Sequence, residues 1–404
     1  MKSNTGVVPK LRFPEFRNAG EWEVKRLGDY LSNKPEYGVN AAAVPFNKNL
    51  PIYLRITDIS EDGKLMLKNR VSIDLDASKE QYLSEDDIVL ARTGASVGKS
   101  YKYRKSDGAL VFAGFLIRIR PNILELDSEF LSQYLHTNTY WNWVEFTSAR
   151  SGQPGINGTE YSLMPIPLPP TIQEQQKIAD CLSSLDEVID LHTKKLEALK
   201  THKKGLMQQL FPRDGETTPR MRFPEFRDAG EWEVKRIHEL LEYERPEPYI
   251  VQSDNYEPYG TPVLTANKSF ILGYTYEQTG IYEDVPVIIF DDFTTDKKFV
   301  DFPFKVKSSA IKILKRKGEN NIRFIFELMN LIHFDPQQHK RYYISEYQNI
   351  VVRVPIPKEQ QKIADCLSSL DEVIDLHTKK LEALKAHKKG LMQQLFPTMD
   401  EVRL

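Results

Sequence analysis

The sequence predicts an α+β protein: two pseudo-symmetric α+β domains separated by a pair of long antiparallel coiled-coil helices. Three observations carry this prediction. Residues 174–212 return at 359–397 with Thr201 replaced by Ala386 as the only change, and residues 12–26 return at 222–236 with Asn18 replaced by Asp228. The long repeat holds an unbroken 4,3 spacing of mostly apolar residues, as in a helix that buries one seam. The intervening segments, roughly 27–169 and 237–354, carry short apolar runs bounded by turn residues and do not resemble each other. A repeated frame therefore carries two different inserts.

In chain order the expected parts are an N-terminal segment with the first domain at 1–169, a spacer helix at 170–212, a linker with the second domain at 213–354, and a second helix with a C-terminal tail at 355–404. In the first insert, runs at 52–59 and 65–73 flank the turn Glu61-Asp62-Gly63, and further strands are expected at 87–92 and 109–120. A helix is expected from 128 to about 145, with Phe130, Leu131, Tyr134, Leu135 and Trp141 on its apolar side. In the second insert, strands are expected at 262–265, 285–290 and 310–314, followed by a helix near 321–332.

The first repeated helix opens with Thr171 and Glu174 as a capping box and stops at Pro212; the second has Pro357 at a first-turn position and closes at Pro397. Each reaches about 58 Å at 1.5 Å per residue. The first seam is Ile178, Leu182, Leu185, Ile189, His192, Leu196, Leu199, Lys203, Leu206 and Leu210. The second is Ile363, Leu367, Leu370, Ile374, His377, Leu381, Leu384, Lys388, Leu391 and Leu395. Parallel pairing would stack Lys203 on Lys388, whereas antiparallel pairing sets Lys203 against Leu370 and His192 against Leu381, letting the polar groups snorkel outward. Antiparallel pairing is the expectation, with one domain at each end.

The composition narrows function by exclusion. No run reaches the roughly 18 to 20 apolar residues that span a bilayer, and the N-terminus lacks an apolar signal region, so a soluble, cytoplasmic chain without a membrane partner is expected. Cys181 and Cys366 are equivalent residues of the repeat and suggest no disulfide framework. The net charge of −2 does not advertise nucleic-acid binding, but it conceals local patches. Arg92, Lys99, Lys102, Arg104 and Lys105 occur with no acid among residues 92–105, and 297–317 holds eight basic residues against Asp301 alone.

RTGASVGKS at 92–100 looks like a phosphate loop but has the wrong spacing, with three residues rather than four between Gly94 and Gly98. A glycine turn with Arg92, Thr93, Lys99, Tyr101, Lys102 and Arg104 suits the tracking of a DNA backbone better, the alternative being a solvated hairpin. In the second insert, Lys268, Lys297, Lys298 and Lys305 are the candidate DNA contacts. Asp291 and Asp292 find no third ligand at metal spacing, and four of the eight histidines lie in the repeated helices. No metal site and no catalytic residue is expected in this chain, since no Ser-His-Asp or Cys-His grouping stands out.

Several linked motifs now stand in order: PEFRNAGEWEVKRLGDY at 14–30, DDIVLARTGASVGKSY at 86–101, QPGINGTEYSLMPIPLPPTIQEQQKIADCL at 153–182, and VLTANKSFILGY at 263–274. Together they resemble the specificity subunits of type I restriction-modification systems, over essentially the whole chain. The resemblance implies a non-catalytic reader whose two target recognition domains each recognise half of a split, asymmetric site in double-stranded DNA. It further implies docking to two modification subunits, which bring S-adenosylmethionine, and to restriction subunits, which use ATP and magnesium; this chain itself would carry no cofactor. Gly155 stands where the family's QPN-like segment has asparagine, and the second half shows no clear sequence equivalent of either first-half motif. The rival reading is a scaffold that presents two protein-binding domains on a coiled-coil strut. If the helices act as a ruler, seven residues inserted into both should add about 10 Å between the domains. Methylation mapping should then show a longer unread spacer, and an unchanged spacer would refute the ruler.

Overall fold

The computed structural model describes residues 6–66, 68–75, 81–149, 152–266, 269–336 and 340–398. Its helices are α1 (Ser128–Tyr134), α2 (Asn138–Ser148), α3 (Gly158–Ser162), α4 (Ile172–Leu210), α5 (Ile237–Leu240), α6 (Ile322–Leu331) and α7 (Pro357–Leu395). The chain divides into two compact units, Met1–Thr193 with Lys379–Leu404, and Lys194–Thr378. Both are α+β, and the long helices α4 and α7 link them.

The first unit centres on an antiparallel sheet in the order Glu36–Tyr37, Leu116–Ile119, Ile88–Ala91, Ser100–Lys102. A second sheet runs Ala43–Pro45, Val71–Ile73, Ile52–Leu54, Leu110–Phe112, its last pair parallel. The strand expected over 109–120 is therefore two strands that serve different sheets, broken at Ala113-Gly114-Phe115. A Cβ on Gly114 would fall 1.9 Å from Asn40 Oδ1, so a larger residue at this crossing would have to displace the Asn40 side chain. The helix expected from 128 is also two. Thr137 breaks it, with its hydroxyl donating to Tyr134 O and accepting from Tyr140 N to cap α2.

The second unit repeats the central sheet with unlike residues: Leu241–Glu244, Ile311–Arg316, Val287–Asp291, Lys297–Val300, all antiparallel. Its side sheet again contains a parallel pair, Thr261–Leu264 beside Lys305–Val306.

The repeated segments meet within each unit, which gives the repetition a physical purpose. Arg12 forks Glu174 with two bonds of 2.7 Å, and Trp22 Nε1 donates to the same carboxylate at 3.1 Å. Arg222 forks Glu359 likewise at 2.8 and 2.7 Å. Gln175 Oε1 accepts from Asp127 N, at the N-cap of α1, and Gln360 Oε1 accepts from Asn321 N, at the N-cap of α6.

Antiparallel pairing is visible in each unit separately. In the first, Ile178, Ala179 and Leu182 from the start of α4 share a core with Met392 and Leu395 from the end of α7. In the second, Ile363, Ala364 and Leu367 share a core with Met207 and Leu210. Every seam residue named above is buried or half-buried. The seam lysines do not snorkel to solvent as expected, because an acid lies within reach: Lys388 bonds Asp186 at 2.6 Å, and Lys203 bonds Asp371 at 2.7 Å and Glu327 at 3.2 Å.

His136 sits between α1 and α2, where burial pushes its imidazole down to about 4, with Lys388 adding to the effect and Asp186 opposing it. A histidine whose folded pKa is depressed stabilises the fold above its ordinary value of 6.5, and that contribution is lost as pH falls from there towards about 4. Thermal melts should show the wild type losing more stability across this window than His136→Gln. Parallel pH profiles would refute the assignment.

Candidate nucleic-acid interface

The strand Ile88–Ala91 runs out into the turn that begins at Arg92. Gly94 and Gly98 hold positive φ of 75° and 88°, and a Cβ on Gly98 would press on Val144 at 2.7 Å. Against this turn lies the segment around Gln153: Gly94 N donates to Pro154 O at 3.0 Å and Ile156 N donates to Arg92 O at 2.9 Å. Two motifs some sixty residues apart in sequence thus form one surface. Within it, Asn157 caps α3 by accepting from Glu160 N at 2.9 Å, while Glu160 Oε2 accepts from Asn157 N.

The Arg92 guanidinium lies 4.9 Å over the Tyr37 ring, and its Nη1 reaches Gly114 O at 3.4 Å. Tyr37 is fixed in turn, its hydroxyl accepting from Gly158 N at 3.1 Å. Tyr37 and Phe115 remain 50% and 62% exposed, so this corner offers solvent a cation stacked on one aromatic face together with a second exposed ring. Thr93 pairs with Gly155 across the two motifs.

The other sequence candidates are distributed differently. Lys99 meets Glu61 at 2.5 Å, and Arg104 is exposed. Lys102 is held by Glu129 at 3.0 Å. Tyr101 is enclosed, its hydroxyl donating to Asp107 at 2.7 Å; burial together with that acid pushes the phenol well up. In the second unit, Lys297 lies 5.7 Å over the Tyr347 ring and burial pushes its ammonium down. Lys298 is half-buried on the same strand. Lys305 is 2% exposed, paired with Glu277 at 3.0 Å and donating to Thr279 O at 2.6 Å. Lys268 lies outside the described residues.

The second unit does contain the counterpart that its sequence conceals. Asp292 N donates to Ala310 O as Arg92 N does to Phe115 O, and Tyr342 N donates to Asp292 O as Ile156 N does to Arg92 O. Thr295, at φ 60°, takes the place of Gly98. The turn is three residues shorter, 292–294 against 92–97, which removes the glycine signature. Asp292 itself points inward, accepting from Tyr343 N at 2.8 Å and meeting Lys312 at 3.3 Å. Outside it stands Arg341, 5.9 Å over the Phe293 ring.

A family model for the type I restriction modification DNA specificity domain matches residues 19–201 and again 229–386. The chain belongs to that family. Each match takes in one insert and most of one long helix, the same division that the repeated frame makes. The specificity chain is 40% identical over 158 residues to the EcoR124I/EcoR124II specificity subunit of Escherichia coli, a stretch covering 37% of this chain and 39% of that relative. It is 25% identical over 424 aligned residues to the putative MjaX specificity subunit of Methanocaldococcus jannaschii, covering 98% and 95% of the two. Its fold is that of the type I restriction-modification S subunit from M. genitalium, with a TM-score of 0.69 at 16% identity and coverage of 96% and 99%.

Membership of this family makes the chain a non-catalytic determinant of DNA sequence recognition that associates with modification and restriction subunits. Among the described residues, no group of three or more His, Cys, Asp or Glu is arranged to hold a metal ion. Nor is any helix there long and apolar enough to cross a membrane.

Proposed function

We propose that the specificity chain recognises a bipartite, asymmetric target in double-stranded DNA, each unit reading one half, and presents it to two modification subunits and to restriction subunits in the cytoplasm. S-adenosylmethionine, ATP and magnesium belong to those partners. The observation that carries this reading is a like backbone bearing unlike side chains. At equivalent ends of the two central sheets, the first unit offers Arg92, Tyr37 and Phe115, and the second offers Arg341 and Phe293. Equal scaffolds with different surface chemistry suit two different half-sites.

Two copies of one partner fit the solvent face of the repeated helices. Leu191 and Leu376 are both 66% exposed, while Val188 and Val373 are 39% and 41% exposed, so the same apolar group is offered twice. Among the basic candidates, Arg104 is exposed and the acid paired with Lys99, Glu61, is itself exposed and can yield it, so these two would neutralise phosphates.

Methylation sequencing of genomic DNA with and without this chain tests the proposal directly: one split motif should lose its methylation when the chain is removed. Binding to random-sequence DNA should weaken steeply with salt, and Lys99→Ala with Arg104→Ala should reduce the slope by about one for each phosphate that is no longer neutralised. Salt-independent binding with an unchanged methylome would favour the protein scaffold instead.

A further inference from the structure

We propose that Arg92 in the first unit and Arg341 in the second are the guanine-reading side chains of the two half-sites. The inference rests on the DNA-reading function and specifies the bases and residues involved. It begins from the equivalence of the two central sheets. The residue that follows the central strand is Arg92 in one unit and Asp292 in the other, placed by the same two backbone hydrogen bonds. In the second unit that position cannot present a cation to DNA, because Asp292 is 1% exposed and braced internally by Lys312 and Tyr343 N. An arginine nevertheless stands at the same corner. It comes from the opposing segment, since Arg341 immediately precedes Tyr342, whose N–H donates to Asp292 O.

The two arginines are held in the same manner although they come from different parts of the chain. Arg92 lies over Tyr37 at 4.9 Å and Arg341 over Phe293 at 5.9 Å. Each has one described tether from an Nη atom, Arg92 to Gly114 O and Arg341 to Ser309 Oγ, both at 3.4 Å. A guanidinium stacked on a ring and tied at one nitrogen loses much of its rotamer freedom before binding, and it has five N–H groups in a planar fork. That fork matches the O6 and N7 acceptors which guanine presents in the major groove. The candidate lysines Lys99 and Lys305 are point charges, paired in the free chain with Glu61 and Glu277, and an ammonium cannot reproduce the planar match.

Each half-site should therefore contain a guanine whose replacement costs about 10- to 100-fold in affinity. The test uses the full chain assembled with its modification subunits. Wild type, Arg92→Lys, Arg92→Ala, Arg341→Lys and Arg341→Ala are compared by methylation sequencing and by competition binding on the mapped target. Arg92 variants should make one guanine position of one half-site degenerate and leave the other half intact, and Arg341 variants should do the reverse.

A second arm needs no variant. Substituting 7-deazaguanine for each target guanine in turn removes the N7 acceptor, and one position in each half should weaken wild-type binding while having no further effect on the matching alanine variant. The proposal is overturned if the wild type tolerates 7-deazaguanine throughout. It is equally overturned if the variants keep the wild-type motif and lose only salt-dependent affinity, as phosphate-binding side chains would. A wild-type complex with no sequence preference at all would instead refute the DNA-reading function itself.

Discussion

Replacing Glu174 with alanine is expected to destabilise the first unit by about 3–5 kcal/mol, the usual cost of removing one partner from a buried ion pair. Side-chain exposure is 7% for Arg12 and 1% for Glu174, so the guanidinium left behind can recruit little water. Trp22 Nε1, in a fully buried ring, loses its acceptor as well. Glu174→Gln keeps the volume and one acceptor and should cost less. The equivalent Glu359→Ala should unpair Arg222 without orphaning an indole, because Trp232 Nε1 makes no bond to Glu359. The first unit should accordingly suffer the larger loss. Denaturant unfolding of the intact chain, followed through the tryptophans of each unit, checks both size and order. An unchanged midpoint for Glu174→Ala would show that the fork contributes nothing.

A chain ending just after α4 is expected to form a tight homodimer and to change the symmetry of the target. The first unit is completed by a strip of α7: Leu391, Met392, Leu395 and Phe396 pack into its core, and Lys388 bonds Asp186. Leu11 N donates to Gln394 O and Thr139 Oγ1 donates to Pro397 O. The same residues occur in order in the first repeat as Lys203, Leu206, Met207, Gln209, Leu210, Phe211 and Pro212. The single difference, Thr201 for Ala386, falls on an exposed position in each helix. A second copy of the shortened chain can therefore supply the missing strip, and each apolar side chain that it buries contributes about 1.5–3 kcal/mol. Sedimentation of residues 1–214 should find a dimer at micromolar concentration, and its complex should methylate a motif with two identical halves. A monomer, or a dimer retaining the asymmetric motif, would contradict this account.

The architecture was legible because helices and repeats are local in sequence. The 4,3 spacing of Ile178 to Leu210 identifies the buried stripe directly, and the like-charge layer that parallel pairing would make of Lys203 and Lys388 favours the antiparallel arrangement. The breaks in the inserts were not legible. Residues 109–117 form a run with no charged or turn-forming residue except Gly114, and only the assignment of Leu110–Phe112 and Leu116–Ile119 to different sheets reveals where one strand becomes two.

The candidate site was half legible for the same reason. The glycine turn after Ala91 advertised itself through Gly94 and Gly98, whereas its counterpart uses Thr295 at positive φ and carries no sequence signal. Tyr101 and Lys305 read as surface groups because aromatic and basic types are common in DNA interfaces. Their burial is decided by Asp107 and Glu277, partners that lie at no fixed sequence offset. Arg341 escaped notice because nothing in its neighbourhood announces that it faces Phe293, nearly fifty residues earlier in the chain.

The glutamines at the start of the long helices have a consequence for how such a chain can change. Gln175 grips Asp127 N and Glu125 O, and Gln360 grips Asn321 N and Pro355 O, all main-chain groups, with a single side-chain bond from Gln360 Nε2 to Asn320 Oδ1 at 3.2 Å besides. A clamp that closes chiefly on peptide groups depends little on the side chains they carry. Lineages can therefore replace one whole insert with an unrelated one and keep the clamp working, so new recognition can arise by substituting a cassette rather than by adjusting an existing reader residue by residue.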